Sequence, residues 1–201
     1  MSDDATEVIQ LILRERQGRD RGWWDQMRGA YAEDSVVDMS WFHGTGYEFV
    51  DRSRFMSRSA NGWNGHSVHR IAVPTVHLRG DRAWAEVPVT IEFRITIDGV
   101  EADLASYCRN QYRAARDTRG VWQITRLTSI YERDTLQPVL PGATLPVAAA
   151  DLEGMRPSYR YLAWYQAGLG LTPRTDLLGD DQPAAVAHQY EAERTWLAGR
   201  S

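Results

Sequence analysis

Two residues of this chain that could exchange a proton stand where the surrounding pattern calls for apolar side chains. His69 lies in SVHRIAV, residues 67–73. If this stretch is a strand, Ser67, His69, Ile71 and Val73 face one way and Val68, Arg70 and Ala72 the other. His69 then shares a face with two β-branched residues. There it is either a structural group satisfied by a backbone carbonyl or a base with a partner. Near the N-terminus, apolar residues recur at helical steps at Ile9, Leu13, Trp24, Met27 and Tyr31, with a vacancy between Leu13 and Trp24. Asp20 falls into that register, seven residues after Leu13 and four before Trp24. Gly18 and Gly22 flank it, so it can also be a solvated helix break. If Asp20 and His69 meet, the chemistry is general-base catalysis. A neutral imidazole takes a proton, and the carboxylate on its other nitrogen fixes the tautomer and stabilises the imidazolium that forms.

The elements that must position these residues fall into three regions. The first, to about residue 62, reads as helical around the short strand SVVDMSW, with a helix from Gly46 through Ser59. The second, from Ser67 to Tyr131, is nearly all strand. RAWAEVPVTIEFRITI places Ala83, Ala85, Val87, Val89, Ile91, Phe93, Ile95 and Ile97 on one face, and Asp98-Gly99 turns into VEADLASYCRNQYRAA. The third opens on the proline-rich connector PVLPGATLPVAAADLEGMRP and continues into two helices, SYRYLAWYQAGLG and DDQPAAVAHQYEAERTWLAG. Helices followed by long antiparallel strands predict an α+β fold with a strongly curved sheet. Residues 1–135 are expected to form this domain, and residues 136–201 a tail that docks on the core near the pocket entrance or on a neighbouring subunit.

Composition excludes several chemistries. All 23 basic residues are arginine, so Schiff-base chemistry through a lysine is ruled out. The one cysteine, Cys108, permits no internal disulfide and no cysteine-rich metal site, and alternation makes it a small buried hydrophobe. A formal charge of −4 and a pI near 5.7 leave no basic footprint for nucleic acid. No apolar run suits a bilayer crossing and the start MSDDATEV is acidic, so the expected location is cytoplasmic. His66 and His69 form H-x-x-H without an acidic third ligand, which makes a poor metal site; no metal and no cofactor are expected.

The order of elements, with AYAEDSVVDM, HSVHRIAVPTVHLRGDRAWAEV and GVWQITRLTSIYE, resembles the SnoaL-like branch of the nuclear transport factor 2-like superfamily over about residues 5–135. Scytalone dehydratases, hexachlorocyclohexane dehydrochlorinases, polyketide cyclases and ketosteroid isomerases belong to it. The resemblance implies a cone of curved sheet and three helices around one deep pocket. It also implies that Asp20 and His69 pair, counted back from AYAEDS and GDRAW. The implied function is a cofactor-independent enzyme with an Asp-His general base, of the dehydratase (lyase), isomerase or cyclase type, acting on a small, largely apolar substrate. Asp20 is flanked by Arg19 and Arg21, where some dehydratases carry a tyrosine, which counts against a scytalone-type assignment.

Four further residues are candidates for substrate binding. Arg126, on the last strand with Trp122, Ile124 and Thr128, is either a surface arginine or the cation that related enzymes place near a leaving group or enolate oxygen. Tyr112 shares a face with Leu104, Cys108 and Asn110. Trp41 and Trp24, with Phe42 and Trp23, make a pocket wall or simply core. An open sheet face carrying Trp84, Thr90, Tyr107, Gln111 and Arg113 predicts a homo-oligomer, a trimer or dimer. The competing readings are a non-catalytic ligand-binding or oligomerisation module of the same fold, and a subunit like the small chain of ring-hydroxylating dioxygenases.

Overall fold

The computed structural model describes residues 4–58 and 67–199. Helix α1 (Asp4–Arg21) carries Asp4 and Glu7 in its first turn and Arg19 and Arg21 in its last, charges that complement the helix dipole. Gly22, at φ +68°, ends it. Helix α2 (Trp24–Gly29) folds back tightly, because a side chain at Gly18 would meet the Met27 amide nitrogen at 2.9 Å. The hairpin of β1 (Tyr31–Met39) and β2 (Phe42–Thr45) leads into α3 (Gly46–Arg58). After β3 (Val68–Ile71) and β4 (Thr75–Arg79) come three long strands, β5 (Arg82–Ile97), β6 (Val100–Arg116) and β7 (Trp122–Pro138). The chain ends with α4 (Arg160–Gly168), the two-residue β8 (Leu178–Gly179) and α5 (Pro183–Leu197).

One mixed sheet runs in the order β2-β1-β7-β6-β5-β3, with β4 also on β5 and β8 on β7. The β5–β6 turn has positive φ at both Asp98 and Gly99, the geometry that matches the strand twist in a two-residue hairpin. The β5 alternation places Ala83, Ala85, Val87, Val89 and Phe93 in the core, as expected from the sequence.

Strand β7 departs from simple alternation. Arg113 pairs with Arg126 while Ala114 pairs with Ile124, so Thr125 is an extra residue; Glu132 is a second one, between the Tyr107–Arg133 and Cys108–Tyr131 pairs. Each bulge exchanges the faces of the residues beyond it. Trp122 and Ile124 point into the core, then Leu127, Ser129 and Tyr131 do, while Arg126 and Thr128 fall on the opposite face.

The helical stripe of α1 also differs from expectation. Its buried residues are Val8, Ile12, Glu15, Arg16, Gly18 and Arg19, one position off the predicted stripe, and Tyr31 belongs to β1. Asp20 sits in an unbroken last turn rather than in a break.

The segment after the cone packs on both faces of the same chain's sheet. Of the outer-face residues Trp84, Thr90, Tyr107, Gln111 and Arg113, on which the sequence suggested a contact with another copy, α5 covers Trp84, Gln111 and Arg113. Arg113 pairs with Glu193 at 2.7 Å, Gln189 donates to Gln111 at 3.1 Å, and Tyr190 meets the Trp84 ring edge-on at 6.0 Å between centroids. On the inner side, α4 buries Leu162, Ala163 and Gln166. A domain boundary at residue 135 would fall inside β7, whose pairing with β6 continues to Pro138.

Helix α4 has no capping side chain of its own, since Tyr159 stands at its N-cap. Asp134 of β7 substitutes: its Oδ2 accepts from the Leu162 amide at 2.9 Å. Replacing Asp134 with Ala is expected to lower stability by about 1 kcal/mol while Asp134→Asn, which keeps an acceptor, loses less. Urea denaturation of the two variants beside the wild type measures the difference.

Candidate active site

His69 enters the cone from the edge strand β3, paired with Ile91 of β5, and Asp20 reaches it from the end of α1. The carboxylate uses both oxygens on this one residue. Oδ1 lies 2.6 Å from His69 Nδ1, and Oδ2 accepts from the His69 backbone N–H at 2.8 Å. The two contacts fix the ring's place and plane together. With Nδ1 bonded to a carboxylate, Nδ1 carries the hydrogen and Nε2 is the nitrogen with a free lone pair. The side chains are 13% and 9% exposed for Asp20 and His69, so solvent competes little for these bonds.

Electrostatics hold the ring neutral. Burial lowers the His69 pKa; the bond to Asp20 opposes this, but the nearby Arg16 and Arg19 guanidinium groups add to it, and the net direction is downward. Burial alone would raise the Asp20 pKa, yet the side-chain and backbone bonds from His69, together with the charge of Arg16, bring it below the usual aspartate value. The pair is therefore a carboxylate and a neutral imidazole at neutral pH.

A cavity of about 20 Å³ adjoins the ring, roughly the space of one water. Arg16, Arg19, Met39, Ser40, Trp41, Phe49, His69, Ile91, Phe93, Asn110, Ser129, Tyr131 and Leu162 line it. The resemblance implied a deep pocket. Helix α4 narrows this space: Leu162 forms part of the lining, Gln166 donates to Ser40 Oγ at 2.8 Å, and Tyr165 lies against Phe93 at 5.5 Å.

The predicted binding residues separate. Trp41 lines the cavity and packs on Phe42 and Phe49. Tyr112 is buried but lies outside the lining, and burial raises its hydroxyl pKa. Trp24 stands at the start of α2 beside a separate surface hollow with Gly22, Trp23 and Arg54. Arg126 lies on the outer side of β7, its Nε 3.3 Å from Thr128 Oγ1, because the Thr125 bulge turns it away. His66 is outside the described residues.

Cations do line the cavity, from positions the sequence reading passed over. Arg16 is buried and held by Glu15 through two bonds, and Glu15 also accepts from Tyr31 Oη at 2.8 Å. Arg19 is 8% exposed and makes no hydrogen bond or ion pair among the described residues. Asn110 and Ser129 complete the polar side, joined at 2.8 Å. The available signal was spacing: Arg16 precedes Asp20 by one helical turn, and Asn110 shares the parity of Cys108 and Tyr112.

A family model for the SnoaL-like domain matches residues 1–128. The chain belongs to the SnoaL-like family. Its relatives include pea pathogenicity protein 2 of Fusarium vanettenii, 24% identical over 98% of this chain and 87% of that protein. An uncharacterized protein of Emericella nidulans is 27% identical over 90% of this chain and 81% of its own length. Among solved structures, a hexachlorocyclohexane dehydrochlorinase (LinA, type 2) superposes with a TM-score of 0.56 at 12% identity, over 70% of this SnoaL-like chain and 93% of that one. A scytalone dehydratase-like protein of Novosphingobium aromaticivorans gives 0.53 at 14% identity, over 71% and 93%. These structural matches establish the nuclear transport factor 2-like cone.

The lowered His69 pKa has a signed consequence. Above about pH 6.5 the ring is neutral in folded and unfolded chains alike; as pH falls, the unfolded ring binds its proton first and unfolding is favoured. His69 should therefore titrate below 6.5 by NMR, and Tm should fall on acidification through that window. The His69→Gln variant should lack that part of the slope.

Proposed function

We propose that this SnoaL-like protein is a cofactor-independent enzyme in which His69, oriented by Asp20, removes a proton from carbon in a small, largely apolar substrate. The observation that carries this reading is the two-point bond from Asp20, which leaves a neutral imidazole beside a cavity with Nε2 unbonded among the described residues. In an elimination, Nε2 takes the proton and the C–H electron pair becomes the new π bond. The bond to the leaving group on the adjacent carbon breaks, and its electrons depart with that group. In an isomerisation the electron pair moves into an enolate and the proton returns at another carbon. In either case the imidazolium that forms is stabilised by the Asp20 carboxylate. Two structural relatives are named for eliminations, a dehydrochlorinase and a dehydratase.

Turnover in this reading requires Leu162 and α4 to withdraw, since about 20 Å³ admits no substrate. The same observation favours a second reading, a non-catalytic module whose pocket is filled by its own side chains. The two part on one measurement. The protein is incubated in deuterium oxide with small ketones and β-hydroxy carbonyl compounds, and exchange or dehydration is followed by proton NMR. The enzyme reading expects turnover that falls about 10²–10⁴-fold in His69→Gln and rises in Leu162→Ala. Equal rates in wild type and His69→Gln would remove His69 as the base. Absence of turnover in wild type and in Leu162→Ala alike would favour the non-catalytic module.

A further inference from the structure

A guanidinium buried without a partner is rare, because the charge has lost its water and received nothing in exchange. Arg19 comes close to this case: the Asp20 and Glu15 carboxylates act on it only through space, and the larger effects, burial and the Arg16 charge, oppose them. Arg19 is 8% exposed, lines the cavity beside His69, and has neither a hydrogen bond nor a carboxylate within ion-pair distance among the described residues. The contrast with Arg16, three residues earlier on the same helix, is direct, since Glu15 engages Arg16 through both of its oxygens. Burial and the neighbouring Arg16 charge pull the Arg19 pKa down to about 10, which still leaves it cationic at neutral pH.

Among the described residues no aspartate or glutamate lines the cavity, and the polar ones, apart from Arg16, Arg19 and His69, are Ser40, Asn110, Ser129 and Tyr131. The walls are apolar and aromatic, with Trp41, Phe49 and Phe93 among them. A ligand that suits both features has an apolar, planar body and one anionic end.

We propose that Arg19 is a specificity-determining residue that receives the carboxylate of a small aromatic or unsaturated acid, with its carbon skeleton laid along the aromatic wall toward His69 in the space that Leu162 of α4 vacates. A planar guanidinium presents parallel N–H donors that match a carboxylate in a way a point charge does not. The arrangement also couples recognition to chemistry. Arg19 depresses the basicity of His69 while it is unpaired, and an anion seated on it offsets that effect, so the imidazole becomes a stronger base when the correct ligand is present. The inference deepens the proposed base site and rests on it for the direction in which the ligand lies.

The test is binding, which separates it from turnover. Benzoate and cinnamate are titrated calorimetrically into the full-length protein beside their neutral amides, benzamide and cinnamamide. The same titrations are run on Leu162→Ala, whose cavity is larger. The carboxylates should bind about 10- to 100-fold more tightly than the amides. Arg19→Gln should erase that preference with its fold intact by circular dichroism, and Arg19→Lys should restore part of it. Carboxylate binding should raise the His69 pKa by NMR in wild type and leave it unmoved in Arg19→Gln. Equal affinity for acid and amide, a preference that survives Arg19→Gln, or binding of neither acid to wild type and Leu162→Ala overturns the proposal. A carboxylate preference lost in Arg19→Gln, with no proton exchange in any compound, would sink the base reading and leave this one standing.

Discussion

Water is excluded from the inner face of the last turns of α1, and the arrangement of the whole site follows from that exclusion. Glu15, Arg16 and Arg19 are buried there, and Asp20 nearly so. A charge without water needs a counter-charge or a set of donors, or it destabilises the fold by several kcal/mol. Glu15 and Arg16 satisfy each other, and Tyr31 adds a donor to Glu15 from the first strand. Asp20 reaches across to β3 and ties the histidine's ring and backbone to the helix. Three of the four charges are thereby absorbed into the protein, and Arg19 lines the cavity with no ion pair among the described residues.

The C-terminal segment determines what that cavity can hold. One helix lies on each side of the sheet: α5 covers the outer face through Glu193, Gln189 and Tyr190, and α4 inserts Leu162 on the inner side. The inner helix is held by few polar bonds. Asp134 supplies the acceptor for its first turn, and burial pushes that carboxyl up to about 6. Gln166 adds one bond to Ser40. The apolar side of this helix, Leu162 and Ala163 with Tyr159 at the N-cap, joins the same core that the long β5–β6–β7 strands enclose.

Much of the frame was legible in the sequence, for a physical reason. Period-two alternation in β5, the Asp98-Gly99 turn and the proline and glycine at the ends of α5 are local rules, and each acts within a few residues. His69 and Asp20 stood out as ionisable residues in an apolar pattern. The helical register around Asp20 was nevertheless one position off, because the turn at Gly22 separates α1 from α2 and one stripe cannot run through both.

Other features belong to the tertiary structure alone. Arg126 left the site through the bulge at Thr125, which no alternation rule anticipates because it depends on the pairing of β7 with β6. Nothing in the local pattern of α1 marks Arg16 and Arg19 for burial. Their burial is a property of what packs on α1, not of α1 itself. The chain by itself determined which residues can ionise and which local elements form; folding decided which of those charges lost their water, and that loss is what turns an aspartate, a histidine and two arginines into a candidate active site.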